Sequence, residues 1–384
     1  MLAEGGFIEP PSQWDSGTTS VALWGGLGLV LLGYTTRTKR PGPVRSQIVL
    51  VVLAHAATDM RPRESQTTVM TATNDGEAWR SDNRGQILLT LPVALLAIFA
   101  YDGVIRPLLH GLVRLPVLTG SLGVLTSVVA LFSLSHAWYS LGGRLTLVFF
   151  GLSAVISSAY EQVGVATGLV YGAYHYTDYL GMKLGHVPLL IPLAWFMMVY
   201  PSYVIANLLV ERRAIGTRPG AAALVRLACV GAVVMTAWDL VIDPILSGPT
   251  IRAWVWDSGG PYFGIPIQNY LGWLLTTFTV YLLYRAVEGR IRPSPAGTLN
   301  ARVAAMPVAA YGLMLAADLL SGVTPAALWL IGPAVMLPPL IIAAWRLRVM
   351  AARSAGLGAP TTSAPRPSEP GRRRPWPVCL RLRS

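Results

Sequence analysis

Long apolar runs recur along the whole chain and limit most strongly how it can fold. They are about 17 to 25 residues long, which is the length of a membrane-spanning helix. Only 12% of the residues are charged, against about 25% in soluble domains. The mean hydropathy of +0.52 is consistent with this pattern. The sequence therefore predicts an all-α, polytopic bundle of about nine transmembrane helices, with eight to ten as the range.

The predicted spans lie at 18–34, 87–105, 115–137, 145–171, 188–210, 227–245, 266–286, 303–320 and 326–345. The apolar run Ile48–Ala57 is too short to span and is interpreted as interfacial or re-entrant. The polar residues 58–86 have no helical apolar period, which predicts a flexible insert. Three parts follow: an atypical N-terminal region, 1–86, a transmembrane catalytic bundle, 87–345, and a disordered, basic, Pro- and Ser-rich tail, 346–384.

The net charge of +12 comes from Lys and Arg in the loops and the tail, as expected for loops on the cytoplasmic side of a membrane. Nine spans with the N-terminus outside place the four most basic stretches, of which the C-terminal tail is one, in the cytoplasm. No basic face with interleaved aromatic residues is evident, so nucleic acid is not a predicted partner. The same topology places 171–187 and 247–265 on the outer side, where they could close over one cavity.

Three carboxyl groups late in apolar runs are candidate catalytic groups, because ionisable residues at membrane depth are by default functional. Glu161 lies in the fourth span, and Asp239 and Asp243 lie in the sixth. The spacing of four puts both aspartates on one helical face. A cation or a shared proton must then relieve their repulsion. One protonated and one ionised carboxyl group would form a general acid and base pair.

Aromatic and polar residues beside these acids are candidate substrate-binding residues. An interfacial aromatic belt would explain part of this set, but not Asn269 just inside a span. Cavity-facing rings could bind an apolar polyene and stabilise a carbocation. His175 has no second histidine at ligand spacing, so no metal site is predicted, and the lone Asp318 in the eighth span is interpreted as packing polarity. The candidates are Tyr171, Tyr174, His175, Tyr176, Asp178, Trp195, Trp254, Trp256, Tyr262, Asn269 and Trp273.

Two linked blocks of motifs carry a resemblance to a known family. The first block reads Glu161-x-x-Gly164-x-x-Thr167-Gly168, Tyr174-His175-Tyr176-Thr177-Asp178-x-Leu180-Gly181, Val187-Pro188-x-x-Ile191-Pro192-x-Ala194-Trp195 and Met197-Met198-x-Tyr200-Pro201. The second reads Asp239-x-x-x-Asp243-Pro244, Trp254-x-Trp256, Gly260-x-Tyr262-x-Gly264-Ile265-Pro266 and Asn269-x-x-Gly272-Trp273. Over about 145–290 the chain resembles the integral-membrane carotenoid biosynthesis proteins, which include bisanhydrobacterioruberin hydratases and acyclic carotenoid 1,2-hydratases.

The resemblance implies that water is added across the terminal C=C of an acyclic carotenoid ψ-end, which gives a tertiary alcohol. This chemistry uses an acid, a base and water, with no redox cofactor and no metal. We assign the acid to Asp239 or Asp243, and Glu161 to positioning the water. The implied partners are the carotenoid, membrane lipid and other enzymes of carotenoid biosynthesis, in a bacterial or archaeal cell membrane.

Two alternatives remain open from the residues. The spacing of Asp239 and Asp243 is similar to part of the aspartate-rich magnesium motifs of membrane prenyltransferases. Those enzymes need two acidic clusters to hold a diphosphate through Mg²⁺, and only one such pair is found here. The other alternative is a carotenoid-binding or transport protein without catalytic activity.

Overall fold

The computed structural model describes residues 75–216, 220–291 and 299–357, with side chains described from residue 88 to residue 353 within those ranges. The chain divides into two units, 1–84 and 85–384, and the second contains almost all of the described part. Helices make up most of this part. They are α1 (Asp75–Ala100), α2 (Arg106–Leu109), α3 (Leu122–Leu141), α4 (Gly143–Thr167), α5 (Leu190–Val210), α6 (Ala221–Leu246), α7 (Ile267–Ile291), α8 (Ala301–Leu319) and α9 (Leu328–Leu357).

Seven helical segments among the described residues are long and apolar enough to cross a membrane. The first runs through α1, a π-helical turn at Tyr101–Ile105 and α2, and the others belong to α3, α4, α5, α6, α8 and α9. The predicted span at 266–286 coincides with a helix, α7, but α7 is not among the seven. Its tyrosines, threonines and charged C-terminal turns, including Arg285 and Glu288, make it more polar than the seven apolar segments.

The structure differs from the sequence prediction at both ends of the bundle. Helix α1 begins at Asp75, inside the predicted flexible insert, and α9 continues to Leu357, past the predicted start of a disordered tail. Helical hydrogen bonds are internal, so a helix can extend beyond its apolar part without losing them. The predicted span at 18–34 and the segment at 48–57 lie outside the described residues.

Helix α3 begins at Leu122, seven residues after the predicted start of the third span. The Asp102 carboxylate accepts hydrogen bonds from the backbone N–H groups of Leu118 (3.1 Å) and Thr119 (2.6 Å). The Ser121 hydroxyl then caps α3 by accepting from the N–H of Val124 at 3.3 Å. These bonds hold 115–120 outside the helix, although the residues are largely apolar.

Helix α4 ends at Thr167, before the predicted end of the fourth span at residue 171. Gly168 has φ +69° in the left-handed region, where glycine is the common helix terminator. The chain therefore turns away from the helix axis at Gly168, and the residues that follow fold back over the bundle.

The two loops predicted to share one side of the bundle do meet. Strand β1 (Tyr174–Tyr176) pairs antiparallel with β4 (Trp254–Trp256), so that Tyr174 is opposite Trp256 and Tyr176 is opposite Trp254. A second, shorter hairpin joins β2 (Lys183–Leu184) to β3 (Val187–Pro188) just before α5. We call the β1–β4 pair the ribbon.

Tyr171 packs between α4 and α7 in a space that two glycines provide. A Cβ atom on Gly164 of α4 would lie 2.6 Å from the Tyr171 ring, and one on Gly272 of α7 would lie 2.5 Å from it. The Tyr171 hydroxyl is 2.8 Å from that of Thr276 on α7, within hydrogen-bond distance. Both glycines are thus required for the tyrosine to lie between the helices.

Replacing Gly164 by alanine is expected to lower the free energy of unfolding by about 1–3 kcal/mol, because the added methyl group overlaps the Tyr171 ring. Gly151 is the matched control, since it lies in the same helix and a Cβ atom there meets nothing within 4 Å. Gly151→Ala should leave stability equal or slightly higher. Thermal unfolding of the detergent-solubilised protein checks both, and equal losses would contradict the packing described here.

Candidate active site

The ribbon presents four aromatic side chains to the interior of the bundle. Successive residues of a strand point to opposite faces, and Tyr174 and Tyr176 of β1 point inward together with Trp254 and Trp256 of β4. The ring centroids of Tyr174 and Trp256 are 4.9 Å apart, and those of Tyr176 and Trp254 are 6.0 Å apart. The ribbon is therefore an aromatic cover over the bundle.

Glu161 of α4 lies beneath this cover, 4% exposed, and accepts three hydrogen bonds. Its Oε2 accepts from the hydroxyls of Tyr174 and Tyr176, the latter at 2.8 Å. Its Oε1 accepts from the indole Nε1–H of Trp195 on α5 at 3.2 Å. Three donors from two parts of the chain thus compensate the burial of one carboxylate.

The hydroxyls of Tyr174 and Tyr176 remain donors at physiological pH. Burial, with the nearby Glu161 carboxylate as a second cause, raises the pKa of both hydroxyls well above the ordinary value of 10.0. A tyrosine in this state keeps its proton and can donate it to a carboxylate. The contacts to Glu161 are therefore hydrogen bonds from neutral phenols.

Asp239 and Asp243 of α6 form the second acidic group, and each is 1% exposed. One side-chain amide, Asn269 Nδ2 on α7, donates to Asp239 Oδ2 at 3.0 Å and to Asp243 Oδ2 at 2.8 Å. Asp243 Oδ1 also accepts from the indole N–H groups of Trp254 (2.8 Å) and Trp256 (3.3 Å). Asp243 therefore has three donors, whereas Asn269 is the only side-chain donor to Asp239 among the described residues.

Three indole rings pack against one another and form one wall of the interior. The rings of Trp195 and Trp273 are stacked, with centroids 4.1 Å apart and planes 17° apart. Trp238 meets Trp273 edge to face, at 6.1 Å and 77°. Trp195 also donates to Glu161, so the wall contacts the first acidic group, and Trp238 directly precedes Asp239 of the second on α6.

All three acids and the wall line one cavity with about 700 Å³ of empty space, its mouth included. Eleven of the fourteen candidates from the sequence line it: Glu161, Tyr171, Tyr174, Tyr176, Trp195, Asp239, Asp243, Trp254, Trp256, Asn269 and Trp273. The other lining residues are Leu122, Thr126, Leu180, Leu190, Ile191, Ala194, Trp238, Ile242 and Leu246. An aromatic and aliphatic cavity with a few convergent acids can bind an apolar molecule and exchange protons with it.

Three candidates lie outside this lining. His175 points outward because it alternates with Tyr174 and Tyr176, and its Nδ1 pairs with exposed Asp257 at 2.9 Å. Asp178 is fully exposed and pairs with Lys183 at 3.2 Å. Tyr262 is directed to the backbone, where its hydroxyl donates to the Leu240 carbonyl at 2.8 Å.

Helical periodicity from Asp239 could have identified two of the residues that sequence reasoning missed. Ile242 and Leu246 follow Asp239 by three and seven positions, so they share the face that carries both aspartates. Trp238 precedes Ile242 by four positions and Leu246 by eight, so the same periodicity places it beside this face, but its place in the wall depends on Trp273 of α7. Leu122, Leu180 and the residues at the start of α5 are ordinary apolar residues by sequence.

No group of three or more His, Cys, Asp or Glu side chains in the described part of the chain is arranged to hold a metal ion. Asp239 and Asp243 are the two acids of the cavity that share a donor, and this donor, the Asn269 amide nitrogen, lies between them. The hydrogen-bond donors to this pair are N–H groups, which bind the oxygens of ionised or neutral carboxyl groups.

A helical membrane bundle with buried carboxyl groups in an aromatic cavity defines the class of this protein. The family model for carotenoid biosynthesis proteins matches residues 121–338, which include every residue that lines the cavity. The chain belongs to this family, which confirms the resemblance found in the sequence.

One curated relative is similar over part of its length. The bisanhydrobacterioruberin hydratase of the archaeon Haloarcula japonica is 38% identical over 139 residues. The match covers 35% of this chain and 44% of the relative, so the chain spans less than half of that protein. No solved structure was found to match the chain.

The indole donors to Asp243 are expected to differ in their contribution to stability. Trp254→Phe removes the shorter bond to a buried acid and should lower the free energy of unfolding by about 1.5–3 kcal/mol. Trp256→Phe removes a longer bond and should cost less. Trp329→Phe is the control, because Trp329 is 54% exposed on α9. Denaturant unfolding in detergent measures all three, and a larger loss for Trp256→Phe than for Trp254→Phe would contradict this hydrogen-bond geometry.

Proposed function

We propose that this protein is a hydro-lyase that adds water to the terminal C=C of an acyclic carotenoid ψ-end, forming a tertiary alcohol. The observation that carries the proposal is the joining of Glu161 and the Asp239–Asp243 pair in one aromatic cavity. Membership of the carotenoid biosynthesis family and the partial similarity to a protein named a hydratase support it. The aromatic and aliphatic lining suits an isoprenoid end group.

The reaction needs a proton and a water molecule delivered to neighbouring carbons. Protonation of C2 of the end group forms the new C–H bond and leaves a tertiary cation at C1. The oxygen of water then bonds to C1, and the water gives up one proton. C2 takes up one proton and the water releases one proton, so the net reaction adds one water molecule to the carotenoid. A strong buried acid, an acceptor for the second proton and a site for the cation are sufficient.

The hydrogen bonds favour Asp239 as the proton donor. Asp243 accepts from Trp254, Trp256 and Asn269, an environment that suits the ionised form of a carboxyl group. Asp239 accepts one hydrogen bond, from Asn269, which leaves its second oxygen to carry a proton. The pair thus holds one proton between two carboxyl groups, as acid pairs in other enzymes do.

Glu161 positions the water. Its three donors hold the carboxylate in one orientation, since they come from the ribbon and from α5. A carboxylate accepts up to about four hydrogen bonds, so one place remains for the O–H of a water molecule. Glu161 also accepts the proton that this water gives up as it bonds to C1. Glu161 and Asp239 lie on different helices, α4 and α6, so that water and proton reach different carbons of the end group.

The indole wall stabilises the cation. Trp195, Trp238 and Trp273 all line the cavity, where an indole face that is open to the interior attracts a cation. A cation within about 6 Å of a ring centroid is stabilised by about 0.5–2 kcal/mol. The wall also keeps bulk water away, which limits capture of the cation to the water held at Glu161.

The proposed topology follows from the loop charges. We place the N-terminus outside and the C-terminus in the cytoplasm of a bacterial or archaeal cell, with about nine spans that include α7. Alternating crossings from α1 onward put the ribbon loops, which precede α5 and α7, on one side of the membrane. The pairing of β1 with β4 supports this arrangement.

The prenyltransferase alternative receives less support from the site. A magnesium ion shared by Asp239 and Asp243 would occupy the position between their Oδ2 atoms, and the Asn269 amide nitrogen lies there at 3.0 and 2.8 Å. Both oxygens of Asp243 already accept N–H donors. Dependence of turnover on Mg²⁺ would restore this alternative.

Pigment analysis tests the reaction directly. The protein is expressed in cells that accumulate lycopene and in cells that accumulate a fifty-carbon ψ-end carotenoid. We expect the mass of one of these pigments to increase by one or two waters, because one or both ends are hydrated. Mass spectrometry of extracted pigments reads this out, and unchanged pigments in both strains with the protein in the membrane would overturn the proposal.

Neutral amide variants test the acids. Glu161→Gln, Asp239→Asn and Asp243→Asn should each lower turnover at least about 100-fold, because general acid–base catalysis contributes about 10²- to 10⁴-fold. Asp257→Asn is the control, since Asp257 is an exposed acid on the outer end of the ribbon. Alcohol formed per folded molecule is the measurement. Full activity in the Glu161 and Asp239 variants would refute the assignment.

A further inference from the structure

Asp318 is a buried acid that the proposed reaction does not use. It lies on α8, is 6% exposed and is absent from the cavity lining. A carboxyl group at membrane depth costs about 2.5–3.5 kcal/mol to insert. The sequence suggests only that Asp318 is a polar group in the helix packing, and this does not explain why so costly a residue lies there.

The partner of Asp318 is a residue of the cavity wall. Asp318 Oδ2 accepts the indole Nε1–H of Trp238 at 3.0 Å, and Trp238 itself lines the cavity. The Trp238 and Trp273 rings meet edge to face, Trp273 stacks on Trp195, and Trp195 donates to Glu161. A series of contacts thus leads from Asp318 through three indole rings to the Glu161 carboxylate.

The hydrogen bond to Asp318 restricts the orientation of the Trp238 indole in the wall. An indole ring can rotate about its side-chain torsions, and rotation of Trp238 would change its edge-to-face contact with Trp273. The interaction of a ring with a cation depends on the position of its face and centroid. The bond to Asp318 selects one orientation, because the Nε1–H direction and the plane of the ring are linked.

We propose that Asp318 is a positioning residue, which holds Trp238 so that the wall of Trp238, Trp273 and Trp195 faces the reacting carbon. This inference rests on the hydration proposed above. Asp318 does not touch the substrate, and it acts through the indole of Trp238. Its loss loosens the wall, so that fewer cations form and more of those that form return to alkene by losing a proton.

The chain offers a matched control between the same two helices. The Tyr311 hydroxyl on α8 donates to the Val234 carbonyl of α6 at 2.8 Å. This bond is also buried and also joins α8 to α6, but it contacts none of the three indoles. Tyr311→Phe therefore measures what the loss of a buried interhelical hydrogen bond does to the fold alone.

The experiment compares Asp318→Leu, Asp318→Asn and Tyr311→Phe in the full chain, with lycopene or the fifty-carbon ψ-end carotenoid in liposomes made with D₂O. Asp318→Leu should lower kcat about 10- to 100-fold with little change in KM, as expected when reacting groups are misplaced by about 1 Å. Asp318→Asn should recover most of this loss, because its amide oxygen can accept the indole N–H. Tyr311→Phe should lower the melting temperature and leave kcat per folded molecule within about twofold.

Deuterium at C2 of the recovered carotenoid reports cations that form and return without water. The ratio of this exchange to alcohol formation should rise in Asp318→Leu and stay at the wild-type value in Tyr311→Phe. A purely structural Asp318 would change the melting temperature in both variants and this ratio in neither, which would overturn the inference.

A double-mutant cycle tests the route through Trp238. In the Trp238→Phe background, which lacks the indole N–H, Asp318→Leu should lower kcat by no more than about twofold. Equal, independent losses in both backgrounds would overturn the inference, as would an Asp318→Asn variant as slow as a folded Asp318→Leu variant. Absence of alcohol from the wild-type protein would instead overturn the proposed function and this inference with it.

Discussion

The burial of three carboxyl groups inside an apolar bundle is the constraint on which the rest of the site depends. An ionised or partly ionised acid without donors in such a place would cost several kcal/mol. The fold supplies donors from distant parts of the chain: two tyrosines and two tryptophans of the ribbon, Trp195 of α5 and Asn269 of α7. The helices provide one donor residue to each acidic group, Trp195 to Glu161 and Asn269 to the two aspartates, and the ribbon provides the other four. The ribbon is therefore as much a part of the site as the helices that carry the acids.

The ribbon also joins the two acidic groups. Its β1 strand binds Glu161 and its β4 strand binds Asp243, so pairing of the strands fixes the separation of the groups. Tyr171 completes this arrangement from the side, since it fills the space between α4 and α7 that Gly164 and Gly272 leave. A cavity built in this way holds its acids at set positions in the absence of substrate, which is the preorganisation that acid–base catalysis requires.

The same rule applies to buried polar groups elsewhere in the bundle. His136 of α3 lies within hydrogen-bond distance of the Tyr200 hydroxyl of α5 (2.7 Å) and of the Val303 carbonyl of α8 (2.9 Å). Arg285 of α7 is 2% exposed, lies 4.5 Å above the Tyr203 ring and is 3.9 Å from Glu288. Each of these groups links helices that are far apart in sequence, so that polar contacts fix the arrangement of a bundle whose apolar surfaces alone would pack in several ways.

The sequence by itself determined the helical membrane class, the positions of most helices and the family. Apolar length, loop charge and motif order are local properties, and all three can be read without knowing what packs against what. It also predicted the three acids and most of the aromatic lining, because polar residues between apolar runs stand out. The helix ends at Leu122 and Thr167 were not predictable in this way, since Asp102 contacts and a glycine terminator decided them. Only the tertiary structure decided that His175, Asp178 and Tyr262 lie outside the cavity and that Trp238 lies inside it. The physical reason is that a side chain's direction depends on strand alternation and on partners from other helices, neither of which a run of residues contains.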